Sequence, residues 1–307
     1  MIRALSIVLV LQLAAGAYLF WPRSLEVGPR ESLAPGLSFA AVERMVITDG
    51  NGSVATLDRR DDVWHVNDTL PADPVKVDTL LAALLNGDPG LAIATSSGAA
   101  ARFKVADESY ERRVVLSTGD SEATVYLGSA PSFRKIHARR AGDPSVFVIE
   151  LNSYDAPTDA NAWLDRTLLA VDNIASVELY GVTYARDGDT WARSDGEPVD
   201  PEAMEQLVEA LANLRVSGLV DDADEDARAA GETLRLSIVA EGETTRITVL
   251  DNPDSERFYL SSDRYDPTFD TSAFDAERLI EAARSAAMLE DPQDPGENDE
   301  AVSEDAL

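Results

Sequence analysis

One stretch of this sequence is written twice. Trp64–Asn86, WHVNDTLPADPVKVDTLLAALLN, aligns without a gap on Trp191–Asn213, WARSDGEPVDPEAMEQLVEALAN. The tryptophan, the Asp-Pro pair, the apolar positions and the closing asparagine all coincide. A chain that repeats a supersecondary unit in this way is expected to fold as successive copies of that unit. The block also shows what the unit contains. Asp73 and Asp200 stand where helix caps belong, and Pro74 and Pro201 occupy the first helical position, where no amide is needed. Val77, Leu80, Leu81 and Leu84 then fall on one face, mirrored by Met204, Leu207, Val208 and Leu211, so both helices are expected to bury the same stripe.

A second block recurs in the same order, Phe147–Leu169 against Phe258–Ile280. Tyr154-Asp155 meets Tyr265-Asp266, Asp159 meets Asp270, Trp163 meets Phe274, and Leu168-Leu169 meets Leu279-Ile280. Between and before the blocks the apolar period is two, which predicts strands. These are Met45–Ile47 and Val54–Leu57 around the turn signal Asp49-Gly50-Asn51-Gly52, Val114–Leu116 and Val125–Leu127, then Leu234–Ile238 and Ile247–Val249. Each copy therefore reads as a hairpin, a helix, further antiparallel strands and a closing helical segment. The expected class is α+β, with an N-terminal transmembrane helix followed by two tandem antiparallel-sheet-plus-helix repeats.

The expected organisation is an anchor over 1–22, a linker over 23–38, repeats over 39–170 and 171–288, and an acidic disordered tail over 289–307. The anchor rests on Ala4–Trp21, which carries no charge and follows Arg3. Such a helix spans roughly 27 Å, close to the thickness of a bilayer core. Tyr18, Phe20 and Trp21 gather at its end, where amphipathic rings favour the headgroups. A cleaved signal peptide is the rival reading, because Ala15-Gly16-Ala17 has the small-x-small form of a cleavage site. Either way the bulk of the chain is expected beyond the inner membrane of a bacterium, in the periplasm.

Charge and composition exclude several functions. With 26 basic against 56 acidic residues and a net charge of −30, the chain lacks the clustered cations that nucleic-acid binding demands. With no cysteine, disulfides, thiolate nucleophiles and Cys-based zinc sites are out. The only histidines, His65 and His137, have no His or Cys nearby, so neither a metal nor another cofactor is expected. Ser132-Phe133-Arg134-Lys135 spells S-x-x-K without the companion motifs of serine acyl enzymes. Asp222, Asp224 and Asp226 alternate as in a calcium loop, but Ala227 and Thr233 stand where that loop needs Gly and Glu. The recurring tryptophans read as core.

One cluster runs against the overall charge: Arg134, Lys135, His137, Arg139 and Arg140, with no acid among them. The second copy is shorter between the two blocks, and much of the shortfall falls between Leu127 and Phe147. The cluster therefore reads as a segment the fold repeats without, placed to contact an anionic surface, either lipid headgroups or an acidic partner. A solvated hairpin is the alternative.

Trp64, Pro71-Ala72-Asp73-Pro74 and Trp163-Leu164-Asp165-Arg166, behind a membrane helix, resemble the bacterial domain of unknown function numbered 4340. The second copy keeps Trp191 and Asp200-Pro201 but has Phe274 for the tryptophan. The resemblance implies an accessory role beside ABC transporter components of the gliding-motility type. The expected function is thus a non-enzymatic, membrane-anchored extracytoplasmic accessory or scaffold protein. Its expected partners are the membrane, through residues 4–21, and a transporter permease or other envelope protein. Two alternatives stand beside it: a module binding an envelope polymer or small ligand, which needs a cleft lined by exposed aromatics, and a hydrolase with dispersed carboxylates.

Overall fold

The computed structural model describes residues 31–221 and 223–288. The expected anchor at residues 4–21 and the tail 289–307 lie outside them. Among the described residues no helix is long and apolar enough to cross a membrane.

The protein is α+β, with two large antiparallel sheets and few helices. Its strands form four meanders. The first comprises β1 (Arg44–Asp49), β2 (Val54–Arg60), β3 (Val63–Val66) and β4 (Leu70–Pro71). Helix α1 (Pro74–Leu85), the short α2 (Ser97–Arg102) and the ribbon β5 (Val105–Ala106) and β6 (Ser109–Tyr110) follow. The second meander is β7 (Arg112–Ser117), β8 (Glu122–Leu127), β9 (Lys135–Arg140) and β10 (Val146–Glu150). A 3₁₀ turn at Ala160–Trp163 leads to the third, β11 (Ile174–Leu179), β12 (Val182–Asp187) and β13 (Thr190–Arg193). After α3 (Pro201–Ala212), β14 (Gly218–Leu219) and the short α4 (Glu225–Ala229) comes the fourth. It consists of β15 (Gly231–Ala240), β16 (Glu243–Asn252), β17 (Arg257–Ser262) and β18 (Tyr265–Thr271), and helix α5 (Ala273–Ala286) closes the described chain.

The expected elements fall where period and caps placed them. The Asp49 carboxylate accepts from the amides of Asn51 and Ser53 and closes the first hairpin. Asp73 accepts from the amides of Val75 and Lys76 at the start of α1, and Asp200 does the same for Glu202 and Ala203 at α3. In α1 all four stripe residues are fully buried, whereas in α3 Met204, Leu207 and Leu211 are buried and Val208 is only half-buried.

By contacts the chain divides into two compact units, one made of residues up to Ala41 with Leu80–Ser153, the other of Val42–Thr79 with the residues from Tyr154 onward. In the first, the described end of the expected linker is packed rather than loose. Leu33 and Ala34 are buried, and the Glu31 carbonyl accepts from Arg140 at 2.7 Å.

The second sequence block is corrected by strand order. Matching Phe147 with Phe258 lays β10 on β17, yet β17 is the third strand of its meander and β9 is the third of the other. The segment with the basic cluster therefore has a counterpart in the second copy. The mismatch arises because alternating apolar strands look alike in sequence whichever neighbour they are laid on. The closing segments also differ, a 3₁₀ turn in one copy and α5 in the other. Trp163 is fully buried while its sequence partner Phe274 is 70% exposed.

Candidate functional site

The five residues of the basic cluster do not form one patch. Arg134 precedes β9; Lys135, His137 and Arg139 share one face of it, with only Lys135 exposed, and Arg140 lies on the other face. Arg139 is buried, its side chain 6% exposed, and it donates four hydrogen bonds. Nε donates to the Val105 carbonyl at 2.5 Å, Nη1 to the carbonyls of Arg140 and Asp143, and Nη2 to Asp107 Oδ1 at 2.6 Å. The guanidinium also lies 4.8 Å from the Tyr126 ring centre. The hydrogen bond from Arg139 holds the Asp107 carboxyl below its usual range. Burial, and then the Asp107 carboxylate beside it, push the Tyr126 hydroxyl up. His137 is buried, stacked on Phe103 at 4.2 Å, and its Nδ1 lies 2.6 Å from the Ser129 carbonyl, which requires the proton on that nitrogen. Arg140 bridges Glu31 and Asp143. These three residues hold the first unit together.

What β9 presents to solvent is its leading turn. Lys135 N–H donates to the Ser132 carbonyl across Phe133 and Arg134, and Arg134 takes a left-handed φ of 55°. Phe133 is 88% exposed, with Arg134 and Lys135 exposed beside it. A large ring in full contact with water beside two cations is the reduced form of the expected contact. An aromatic in a strand-to-strand connection was the sequence signal for it. The S-x-x-K residues lie on this turn and not on a helix.

The second unit carries a comparable arginine. Arg257, opening β17, donates to Asp224 and Asp270 at 2.9 and 2.8 Å, with Asp226 at 3.4 Å. Its pKa is raised, first by the Asp270 hydrogen bond. Asp224 also caps α4 and lies below the usual carboxylate range, chiefly through the amide of Ala227. Two of the three acids that suggested a calcium loop thus bind a guanidinium. Among the described residues no group of His, Cys, Asp and Glu could hold a metal ion.

A feature the sequence did not reveal lies beside β13 and α3. Arg186, Asp189, Thr190, Trp191, Val199, Pro201, Glu205 and Val208 line a cleft of about 500 Å³. The Trp191 ring is half-buried there, with the Arg186 guanidinium 5.9 Å from its centre. Its sequence counterpart Trp64 is 6% exposed, and the counterparts of Val199 and Val208 are the buried Ala72 and Leu81. Two tryptophans meet the core expectation, Trp64 and Trp163; Trp191 does not.

Fold and surfaces together define an α+β protein of antiparallel meanders that offers an aromatic-lined cleft and an exposed cationic turn. The chain belongs to the family described as Domain of unknown function (DUF4340), whose model matches residues 64–237. Comparison with curated proteins and with solved structures returned no match.

Proposed function

We propose that this chain is a tandem duplication that works as a membrane-tethered, extracytoplasmic accessory protein, holding a partner in the Trp191 cleft and performing no chemistry of its own. One observation carries the binding part. Three positions closed in the first copy, Trp64, Ala72 and Leu81, are opened in the second at Trp191, Val199 and Val208. A duplicated fold that keeps an apolar position but uncovers it retains the groups that recognise a ligand. The tether is Ala4–Trp21, and an ABC-type transport assembly is the setting the family resemblance supports. Membranes washed at high pH should retain the full-length chain. A Trp191→Ala variant should melt as wild type does and lose copurifying envelope protein; unchanged copurification would end this reading.

The turn Phe133-Arg134-Lys135 supports a second contact, with the anionic lipid surface itself. Each cation near such a surface contributes about 1 kcal/mol, and the ring is free to enter the headgroup region. A Phe133→Ser, Arg134→Ser, Lys135→Ser variant should keep its melting temperature and lose salt-sensitive binding to phosphatidylglycerol vesicles. Equal binding by the variant would remove the contact.

A further inference from the structure

The last strand of each meander presents a row of unpaired amides and carbonyls unless something covers it, and proteins rarely leave such an edge bare. Three of the four are covered by the chain itself. Beyond β4, Ala72 bridges to Leu164, with Asp73 N–H donating to the Trp163 carbonyl at 2.7 Å and Asp165 N–H to that of Pro71 at 2.9 Å. Beyond β10, Ile93 and Ala94 exchange bonds with Val146 at 2.8 Å. Beyond β18 lies β14. Strand β13 has no such cover among the described residues.

The direction of its free groups follows from its pairing. Ser194 N–H donates to the Thr183 carbonyl, one step beyond the Tyr184–Arg193 pair. Antiparallel bonding alternates, so Ala192 and Thr190 also bond inward to β12, and the N–H and C=O of Trp191 point outward. In the first copy the outward carbonyl of Trp64 accepts from Ala72 at 2.8 Å, and Trp163–Asp165 then lies against Pro71–Asp73. In the second copy Glu197 and Pro198 are exposed and Val199 lines the cleft instead of donating to Trp191. The segment that follows β18 forms α5, where the segment after β10 forms the 3₁₀ turn that ends at Trp163.

We infer that the β13 edge receives an extended polypeptide segment from a partner protein, as an added antiparallel or parallel strand bonded to Trp191, with a large apolar side chain seated between Trp191 and Val208. The inference rests on the binding reading above and names its ligand. The first copy supplies the template, since the edge beside Trp64 is filled there by the extended segment Leu70–Ala72, whose Leu70 and Ala72 are buried. The unspent groups are the backbone N–H and C=O of Trp191, a donor and acceptor pair that another extended backbone matches and a sugar ring does not.

The probe is a fluorescein-labelled synthetic peptide of residues 67–76, NDTLPADPVK, titrated onto the full-length protein in detergent and read by anisotropy. Saturable binding is expected, with protection of the Trp191 amide from hydrogen exchange. N-methylation of the peptide's alanine, whose amide in the first copy donates to Trp64, should weaken binding by roughly tenfold or more, about 1.4 kcal/mol, without altering the protein. Trp191→Ala should weaken it similarly. Absence of saturation, or equal binding by the N-methylated peptide, would overturn the inference. Peptidoglycan fragments that protect Trp191 where the peptide does not would overturn it too, while sparing the cleft. Retained partner in Trp191→Ala membranes would bring down the reading beneath it.

Discussion

At the scale of single residues, sign and position in the chain are poor guides to exposure. Arg139 and Arg134 sit in one basic run, yet one is enclosed by carbonyls and a carboxylate and the other stands in water. Leaving a buried carbonyl without its donor costs about 1–3 kcal/mol, and the Arg139 guanidinium serves the carbonyls of Val105, Arg140 and Asp143. Arg139→Ala should therefore lower the melting temperature sharply, and Arg134→Ser and Lys135→Ser should leave it unchanged, in calorimetry of the three variants. The Asp107 partner adds a pH dependence. Its carboxyl is held down by Arg139, so its stabilising effect is present above the unfolded carboxylate value of about 3.9 and is lost as pH falls through the lower folded value. The gap in melting temperature between wild type and Asp107→Asn should be open at neutral pH and close in acid below that range. The Asp107 side chain is 66% exposed, so the gap is small. A gap that widened in acid would contradict the pairing.

At the scale of elements, α1 and α3 carry the same caps and the same stripe but different surroundings. The amide bonds to Asp200 belong to any N-capped helix, and Asp200→Ala should cost about 1 kcal/mol by denaturant titration. The stripes part company at Leu81, which is fully buried, and Val208, which borders the cleft. Leu81→Asp buries an unpaired charge and should cost more than about 4 kcal/mol, whereas Val208→Asp leaves its carboxylate wet and should cost under about 1 kcal/mol. Equal losses would mean that the cleft is closed in solution. The glycine at the β8–β9 connection shows the same dependence on neighbours. A Cβ on Gly128 would collide with the carbonyl oxygen of Phe103, because Ser129 N–H donates to that carbonyl at 3.0 Å. Nothing local to Gly128 announces this approach, since its partner lies far back along the chain.

For the whole molecule, the formal charge of −30 sets a further expectation. Like charges destabilise a compact state, and screening shortens their reach from about 30 Å at 0.01 M salt to about 8 Å at 0.15 M. The melting temperature should rise over that interval, and a fall would place the net electrostatic balance in the ion pairs instead. The α+β class, the two capped helices, the strand pairs around them and the family were legible in the sequence, because each rests on local chemistry: caps on adjacent amides, period on a helix or pleat, motifs on spacing. The tertiary structure alone decided which members of a repeated pattern are covered. Trp64 and Trp191 are the same residue in the same motif, and their burial differs because β4 and Ala72 bond to the strand of Trp64 while no described strand bonds to that side of β13. Likewise β9 and β17 could be matched only through their hydrogen-bonded neighbours, since an alternating strand carries no mark of its place in a sheet. Burial is a property of what a residue meets across the fold, and those partners are supplied by segments remote in sequence.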